Sequence, residues 1–308
     1  MKRKPDNPKQ NSRPIRARRS VLYLPASNDR ALDKSKTLAC DSLIFDLEDA
    51  VGPNDKEMAR NALTDWFAEG PGNGVEHVIR INALTSTWGP DDLEAAIKCR
   101  PDAVLLPKVN RIGDVLEASA ILEEHNSDIR LWAMIETPRA IADVVAIAEA
   151  GSAPGGRLDC LVVGSNDLAK DTGIPLPEGR AFMQSWLMQI VLAARVAGLD
   201  ALDGVYNDFR DADGFEAECQ AARLMGFDGK TLIHPSQIEP ANRAFGASDA
   251  DIATARTIVD GFADPQNAEK GVIQINGKMV ERLHLEQAKK LLARATGPVS
   301  DKTNEQSG

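Results

Sequence analysis

Eight short apolar runs that end in polar residues recur along this 308-residue chain, and they restrict its fold more than any other feature. The runs cover residues 21–25, 42–49, 76–83, 103–109, 130–137, 160–167, 201–208 and 230–235. Their starts lie 21 to 41 residues apart, close to the length of one βα unit. Their downstream ends carry Asp46, Glu48, Asp49, Arg80, Lys108, Glu136, Asp167, Asp203 and His234. Eight such units predict a (β/α)8 TIM barrel, whose strand ends meet on one face, here in an anionic and metal-binding pocket.

Segments with apolar residues at helical spacing separate the runs. They cover residues 29–40, 55–68, 91–99, 112–125, 138–150, 180–197, 214–225 and 236–245. The runs themselves are almost continuously apolar, as in a parallel sheet that is covered on both faces. A doubly wound sheet shares this alternation, and the count of eight favours the barrel. The sequence contains neither a Gly-rich dinucleotide fingerprint nor a P-loop.

The pattern changes after residue 246. A helix is predicted over 247–263, a β-hairpin around Asn276 and Gly277, and a last amphipathic helix over 283–295. This hairpin-plus-helix extension is either a packing appendage or a lid. We therefore predict a disordered basic tail over 1–18, a TIM-barrel catalytic domain over 19–246, the extension over 247–300 and a disordered tail over 301–308.

Composition excludes several classes of function. The net charge of −10 argues against a nucleic-acid partner, and no apolar stretch approaches the roughly 18 residues that a membrane span needs. The four cysteines lack C-x-x-C spacing, which favours reduced thiols and a cytoplasmic location. The first 19 residues differ, with eight basic residues and one acidic residue. They are interpreted as a disordered tail, or alternatively as a contact for an anionic ligand or partner.

Glu136 and Asp167 end the fifth and sixth runs, so their carboxylates should enter one cavity from neighbouring strands. Two carboxylates that lie close together repel each other unless they share a proton or bind a hard cation. Mg²⁺ prefers oxygen ligands and commonly takes one or two carboxylates. The alternative is that each residue is a capped or salt-bridged acid at the end of a strand.

Three basic residues near the same face allow two interpretations each. Arg80 stands among β-branched residues, where it either pairs with an acid such as Asp46 or grasps a substrate carboxylate or enolate. Lys108 is either a Schiff-base amine or one partner of an ion pair inside the barrel. His234 precedes a proline and has no nucleophile beside it in the sequence, so it is equally well a structural histidine.

Eight collinear motifs resemble the citrate lyase β-subunit-like proteins, a malyl-CoA lyase group of the HpcH/HpaI aldolase superfamily. The motifs are RSVLYLPASN at 19–28, DLEDAV at 46–51, RIN at 80–82, LPKV at 106–109, IETP at 135–138, GSNDL at 164–168, IHPSQ at 233–237 and GKMVE at 277–281. The resemblance runs in order from about residue 19 to 296, and it is specific for the family rather than for one substrate.

The resemblance implies roles for individual residues. Glu136 and Asp167 would bind Mg²⁺, for which Mn²⁺ can substitute, and Arg80 would steady the substrate and its thioester enolate. Asp46, Glu48 and Asp49 would form the acidic cluster behind that arginine and the metal-bound waters. The residues predicted to bind the CoA-thioester substrate are Arg19, Ser27, Asn28, Arg30, Lys34, Arg80, Lys108 and His234.

The resemblance also implies a homotrimer or hexamer in which the C-terminal segment covers a neighbouring subunit's site and supplies an acidic catalytic group. Relatives carry Asp at that position, whereas this chain carries Glu281, which is longer by one methylene. The implied reaction is Mg²⁺-dependent formation or cleavage of a C–C bond in a 3-hydroxyacyl-CoA such as citryl-CoA or malyl-CoA. The alternatives are a thioesterase that uses the same metal site, a Schiff-base aldolase that uses Lys108, and a non-catalytic component of a multi-subunit lyase.

Overall fold

A closed barrel of eight parallel strands organises the fold. The computed structural model describes residues 15–70, 74–151, 153, 156–176, 178–267 and 269–296. The strands are β1 (Ser20–Pro25), β2 (Ser42–Asp46), β3 (Glu76–Arg80), β4 (Ala103–Leu106), β5 (Arg130–Ile135), β6 (Leu158–Val163), β7 (Asp200–Asp203) and β8 (Gly229–Leu232). Each strand pairs with the next in the chain, and β8 closes the sheet on β1. The predicted TIM barrel is confirmed.

Helices follow the strands. They are α1 (Asp29–Ser35), α2 (Lys56–Ala68), α3 (Gly89–Cys99), α4 (Ile112–Glu124), α5 (Pro138–Ala142), α6 (Val144–Glu149), α7 (Ser165–Thr172), α8 (Gln184–Ala197), α9 (Ala212–Met225) and α10 (Ile238–Phe245). Short 3₁₀ turns precede α2, α8 and α10. The predicted helix over 138–150 is divided at Asp143, which ends α5 and begins α6. Within the described residues, no helix combines the length and apolarity needed to cross a membrane.

Several predicted strands extended too far. The run over 160–167 crosses Gly164, where β6 has already ended and α7 begins, so Asp167 lies in the first turn of a helix rather than at a strand end. Gly164 followed by Ser165 is a common helix start, and the apolar run before it concealed this signal. The carboxylate nevertheless stays at the carboxyl end of the barrel.

The barrel interior is filled by side chains from alternate strand positions. Trp132 is the largest of them and is fully buried among Val21, Ile44 and Val162. Arg18 lies at the amino end, with its guanidinium 4.9 Å from the Trp132 ring and hydrogen-bonded to Glu76 at 2.7 and 2.8 Å. The predicted tail included Arg18, which is instead only 4% exposed because it closes the bottom of the barrel.

The described residues divide into two compact units, one formed by 18–245 and the other by 246–296 together with 15–17. The second unit contains α11 (Asp249–Ala263), an antiparallel hairpin of β9 (Val272–Ile275) and β10 (Lys278–Glu281), and α12 (Arg282–Thr296). Asn276 and Gly277 both adopt positive φ at its turn, as the Asn-Gly pair predicted. The assignment of a catalytic domain and a lid to these regions stays a prediction. Residues 1–14 of the predicted tail over 1–18, and the whole predicted tail over 301–308, lie outside the described residues.

Candidate active site

The first group of polar residues at the carboxyl end of the barrel is the arginine cluster, formed by Arg80 with Asp46, Glu48 and Asp49. Arg80 ends β3 and is 7% exposed. Its Nε and Nη2 donate to the two carboxylate oxygens of Asp46 at 2.7 and 2.6 Å. Its Nη1 lies 2.9 Å from Glu48 and 3.6 Å from Asp49. The predicted ion pair with Asp46 is therefore present, and it fixes the guanidinium plane.

A buried network that sequence reasoning missed holds the loop that carries Glu48. Lys56, at the start of α2, is 5% exposed and donates to the carbonyls of Leu47 and Glu48, each at 2.7 Å. Its third acceptor is the side-chain oxygen of Asn82 at 3.1 Å, and Asn82 in turn donates to Leu47 at 2.9 Å and to Asp92 at 2.6 Å. Lys56 follows the acidic motif at 46–49 by several residues, and nothing in its local sequence indicates that its side chain will contact the backbone of that motif.

The second group is the carboxylate pair, Glu136 and Asp167, with Lys108 between them. Glu136 directly follows β5 and is fully buried, and its Oε1 accepts the backbone N–H of Lys108 at 2.7 Å. The Lys108 ammonium lies 2.6 Å from Asp167 Oδ2 and 3.5 Å from Glu136 Oε1. Lys108 reaches this position with a φ of 52°, in the left-handed region that a residue with a side chain seldom adopts. The structure therefore brings the two predicted metal ligands together around a positive charge.

The ionisation of this pair is uneven. Burial raises the pKa of Glu136, while Lys108 opposes that change. Burial also acts to raise the pKa of Asp167, but the hydrogen bond and the positive charge of Lys108 hold it below its ordinary value. For Lys108, burial acts to lower the pKa, and the bond to Asp167 raises it above the ordinary range. A Schiff-base amine needs a depressed pKa, so this geometry disfavours the Schiff-base alternative.

Glu136 Oε2 is buried and has no hydrogen-bond partner among the described residues. A β-carbon on Gly164, the residue between β6 and α7, would come within 2.6 Å of this oxygen, so only glycine lets the backbone pass so close to it. Buried carboxylate oxygens are normally satisfied, and an unpartnered one beside a second carboxylate fits a hard cation. The donor set therefore suits Mg²⁺, with Glu136 and Asp167 as its protein ligands.

A cavity of about 370 Å³ lies between the two groups. Its lining includes Tyr23, Asp46, Asp49, Arg80, Met134, Glu136, Ser165, Asn166 and Asp167. The Tyr23 ring lies 5.0 Å from the Arg80 guanidinium and covers one face of it. A larger neighbouring cavity of about 430 Å³ is lined by Lys108 but by neither carboxylate of the pair. The smaller cavity is therefore the one that holds the acids and the arginine together.

The remaining predicted binding residues occupy different places. Ser27 and Asn28 lie between β1 and α1, and Asn28 accepts the N–H of Ala31 at 3.1 Å as the N-cap of α1. Arg30 and Lys34 are exposed on α1. All four follow β1 in the chain, and their predicted contact with CoA stays a prediction.

Arg19 and His234 interact with other residues of the chain rather than with the cavity. Arg19 precedes β1 and donates to both oxygens of Asp41 at 2.8 Å, so it lies at the amino end of the barrel, away from the cavity. His234 follows β8, and its ring is stacked on Phe209 with centroids 4.5 Å apart. It also caps the following turn through Ser236. The structure thus does not bring Arg19 to the site, and it gives His234 the structural role that was its alternative.

Glu281 ends β10 in the second unit and is exposed. Its backbone N–H donates to Nδ1 of His284 at 2.9 Å, which caps the start of α12. The predicted catalytic role of its carboxylate stays a prediction.

A (β/α)8 barrel with a carboxylate pair and a fixed arginine at the carboxyl ends of its strands defines a class of protein that can bind a metal and an anionic ligand side by side. The model of the HpcH/HpaI aldolase/citrate lyase family matches residues 19–235, and this chain belongs to that family.

Named relatives cover nearly the whole chain. The (3S)-malyl-CoA thioesterase of Cereibacter sphaeroides is 44% identical over 277 residues, which are 90% of this chain and 94% of that protein. Citrate lyase subunit beta of Escherichia coli K12 is 34% identical over 291 residues, which are 92% of this chain and 95% of that protein. The crystal structure of CitE from Mycobacterium tuberculosis in complex with magnesium, acetoacetate and coenzyme A has a TM-score of 0.69 and 30% identity, covering 90% of this chain and 97% of that one. The predicted family is confirmed.

Proposed function

We propose that this protein is a Mg²⁺-dependent enzyme that acts on the CoA thioester of a short 3-hydroxy dicarboxylic acid, and that it hydrolyses (3S)-malyl-CoA. The observation that carries the proposal is the unpartnered Glu136 Oε2, buried beside Asp167 and lining the cavity that Arg80 also lines. The 44% identity with a (3S)-malyl-CoA thioesterase supports this substrate and this reaction.

In this proposal, the bound Mg²⁺ supplies positive charge that polarises an oxygen of the acyl group. Arg80, held in one plane by Asp46, steadies the negative charge that develops on the thioester oxygen. Ser27, Asn28, Arg30 and Lys34 hold the phosphates and adenine of CoA. In the hydrolysis, the oxygen of water bonds to the thioester carbon and the C–S bond breaks. Malate and free CoA leave, and the sulfur takes the proton.

A second candidate reaction is C–C cleavage of the same thioester, which the citrate lyase subunit beta relative favours. The 3-hydroxyl group loses its proton, the bond between C2 and C3 breaks, and glyoxylate leaves. The remaining thioester enolate takes a proton and becomes acetyl-CoA. Arg80 serves this reaction equally, because the same guanidinium would face the enolate oxygen.

Glu281 and the oligomer belong to the proposal. In a homotrimer or hexamer, the segment from about residue 265 would cover a neighbouring subunit's site and bring Glu281 to it as a proton donor. Glu281→Ala should then lower turnover while Mg²⁺ affinity stays unchanged. Equal rates of solvent deuterium exchange into the methyl group of acetyl-CoA for Glu281→Ala and wild type would remove the support for this role.

Product analysis separates the candidate reactions. The purified protein is incubated with Mg²⁺ and (3S)-malyl-CoA, and free thiol, malate, glyoxylate and acetyl-CoA are measured. Hydrolysis predicts free CoA and malate in equal amounts, with one oxygen atom from labelled water in the malate. Equal amounts of glyoxylate and acetyl-CoA would show a lyase. No turnover of malyl-CoA, citramalyl-CoA, methylmalyl-CoA or citryl-CoA would contradict the proposal and favour a non-catalytic component.

A further inference from the structure

Ser165 carries a hydroxyl group that the fold itself does not use. The residue is the first of α7 and is 3% exposed. Its Oγ is buried and has no hydrogen-bond partner in the part of the chain that the structure describes. It lines both the 370 Å³ cavity and a second cavity of about 240 Å³. Val205 is the other residue that lines both cavities.

Other buried serines differ from Ser165. Ser42 donates to Glu76 at 2.9 Å, Ser35 to the carbonyl of Leu32 at 2.5 Å, and Ser20 to Asn242 at 2.7 Å. Burying a hydroxyl without a partner costs free energy, and protein mutational data put this cost at about 1–3 kcal/mol. A hydroxyl that is kept unpaired at this cost, beside a cavity, indicates a partner that the protein does not itself supply.

The surroundings of the Ser165 hydroxyl leave room for such a partner. A β-carbon on Gly204 would lie 2.8 Å from Ser165 Oγ, so glycine at this position keeps the space open. Glu136 and Asp167 line the same cavity. A hydroxyl next to a carboxylate pair that suits a cation can donate a hydrogen bond to a ligand oxygen that the cation also attracts.

We propose that Ser165 is a specificity-determining residue whose hydroxyl donates to a negatively charged or polarised oxygen of the acyl group. It would thereby select acyl groups that carry a hydroxyl or carboxylate substituent over unsubstituted acyl groups. The inference rests on the proposed function, since it places the acyl group in the 370 Å³ cavity.

Ser165→Ala separates this role from a structural one. Loss of an unsatisfied hydroxyl should leave the Tm equal to or above that of wild type, because no hydrogen bond within the protein is broken. The Kd for (S)-malate, measured by calorimetry with Mg²⁺ present, should rise roughly tenfold, as expected for one hydrogen bond to a charged group. The kcat/KM for (3S)-malyl-CoA should fall by a similar factor.

Ser42→Ala is the matched control, because it removes a buried hydroxyl that has a partner. It should lower the Tm and leave the Kd for malate unchanged. A Ser165→Ala protein with a lowered Tm and an unchanged Kd overturns the inference while leaving the proposed function in place. If wild-type protein turns over (3S)-malyl-CoA and Ser165→Ala has an unaltered kcat/KM, the inference is wrong and the proposed function stands. If wild-type protein turns over none of the thioesters, the proposed function is wrong as well.

Discussion

The arginine cluster and the carboxylate pair line one cavity, yet they differ in how completely the protein satisfies them. In the cluster, Asp46 accepts two donors from Arg80 and the backbone N–H groups of Glu48 and Ala50 at 2.9 and 3.1 Å. In the pair, Glu136 keeps one buried oxygen without a hydrogen-bond partner among the described residues. Glu48 Oε2 also makes no hydrogen bond among the described residues, but it lies 2.9 Å from Arg80 Nη1, so its charge is paired within the cluster. The first group therefore acts mainly as a scaffold, whereas the second group leaves a buried oxygen open to a ligand.

The largest effect is expected from replacing one carboxylate of the pair by an amide. Glu136→Gln or Asp167→Asn should lower kcat/KM for the thioester by more than 100-fold, since loss of an outer partner of a metal ligand already costs about 10–100-fold. Asp159→Asn is the control, because Asp159 is a buried carboxylate, like Glu136, and pairs with Arg130 at the amino end of β6. It should retain activity and lose stability. Normal kinetics in both carboxylate variants would show that the carboxylate pair, like the arginine cluster, does not bind a ligand needed for the reaction.

A smaller loss, of order 100-fold, is expected for Arg80→Lys, comparable to removing one donor to a developing oxyanion. Lysine keeps the charge but cannot reproduce the two parallel bonds that orient Arg80 on Asp46. Arg19→Lys removes the same kind of fork, to Asp41, at the other end of the barrel. Steady-state kinetics should be nearly normal for Arg19→Lys. Nearly normal kinetics for Arg80→Lys would reduce Arg80 to a structural ion pair.

Lys56→Met tests whether the cluster depends on the network behind it. The loop loses the ammonium that holds two carbonyls, so Glu48 should loosen against Arg80, and kcat/KM should fall roughly tenfold, the lower end for an outer partner. The Tm should fall as well. Lys36→Met removes an exposed pair with Glu69 and a 5.9 Å contact with the Trp66 ring, neither of which belongs to the network, and serves as the control. A Lys56→Met protein with a lowered Tm but unaltered kinetics would show that the network supports the fold and not the site.

The smallest effect is a change in the pH dependence of stability at Glu48. Burial raises the pKa of this carboxyl from 4.5 to about 8, against the attraction of Arg80. Protonated Glu48 therefore stabilises the folded state fully below about pH 4.5, and this contribution is lost as the pH rises through about 8. Urea unfolding with EDTA should show that Glu48→Gln gains stability over wild type between about pH 5 and about pH 9. A constant difference between the two proteins would contradict a raised pKa of Glu48 within this range.

The strands and the motif residues were readable from the sequence because each depends on a local signal. The apolar run before Glu136 and the Asn-Gly turn both specify structure within a few residues. Arg18, Lys56 and Ser165 were not recognised, because their roles depend on partners 8 to 182 residues away or on the absence of a partner. An isolated lysine or serine has the same local pattern whether it is exposed or buried. Only the closed barrel shows which of them is enclosed.

Magnesium titration of two matched variants tests the central distinction most directly. Glu48 and Glu136 are both buried glutamates that line or adjoin one site, and Glu→Gln makes the same isosteric change at each. Calorimetry should show that Glu48→Gln binds Mg²⁺ with nearly the affinity of wild type, whereas Glu136→Gln binds more than ~100-fold more weakly. Retained Mg²⁺ binding in Glu136→Gln, together with its loss in Glu48→Gln, would place the metal in the arginine cluster and contradict this account.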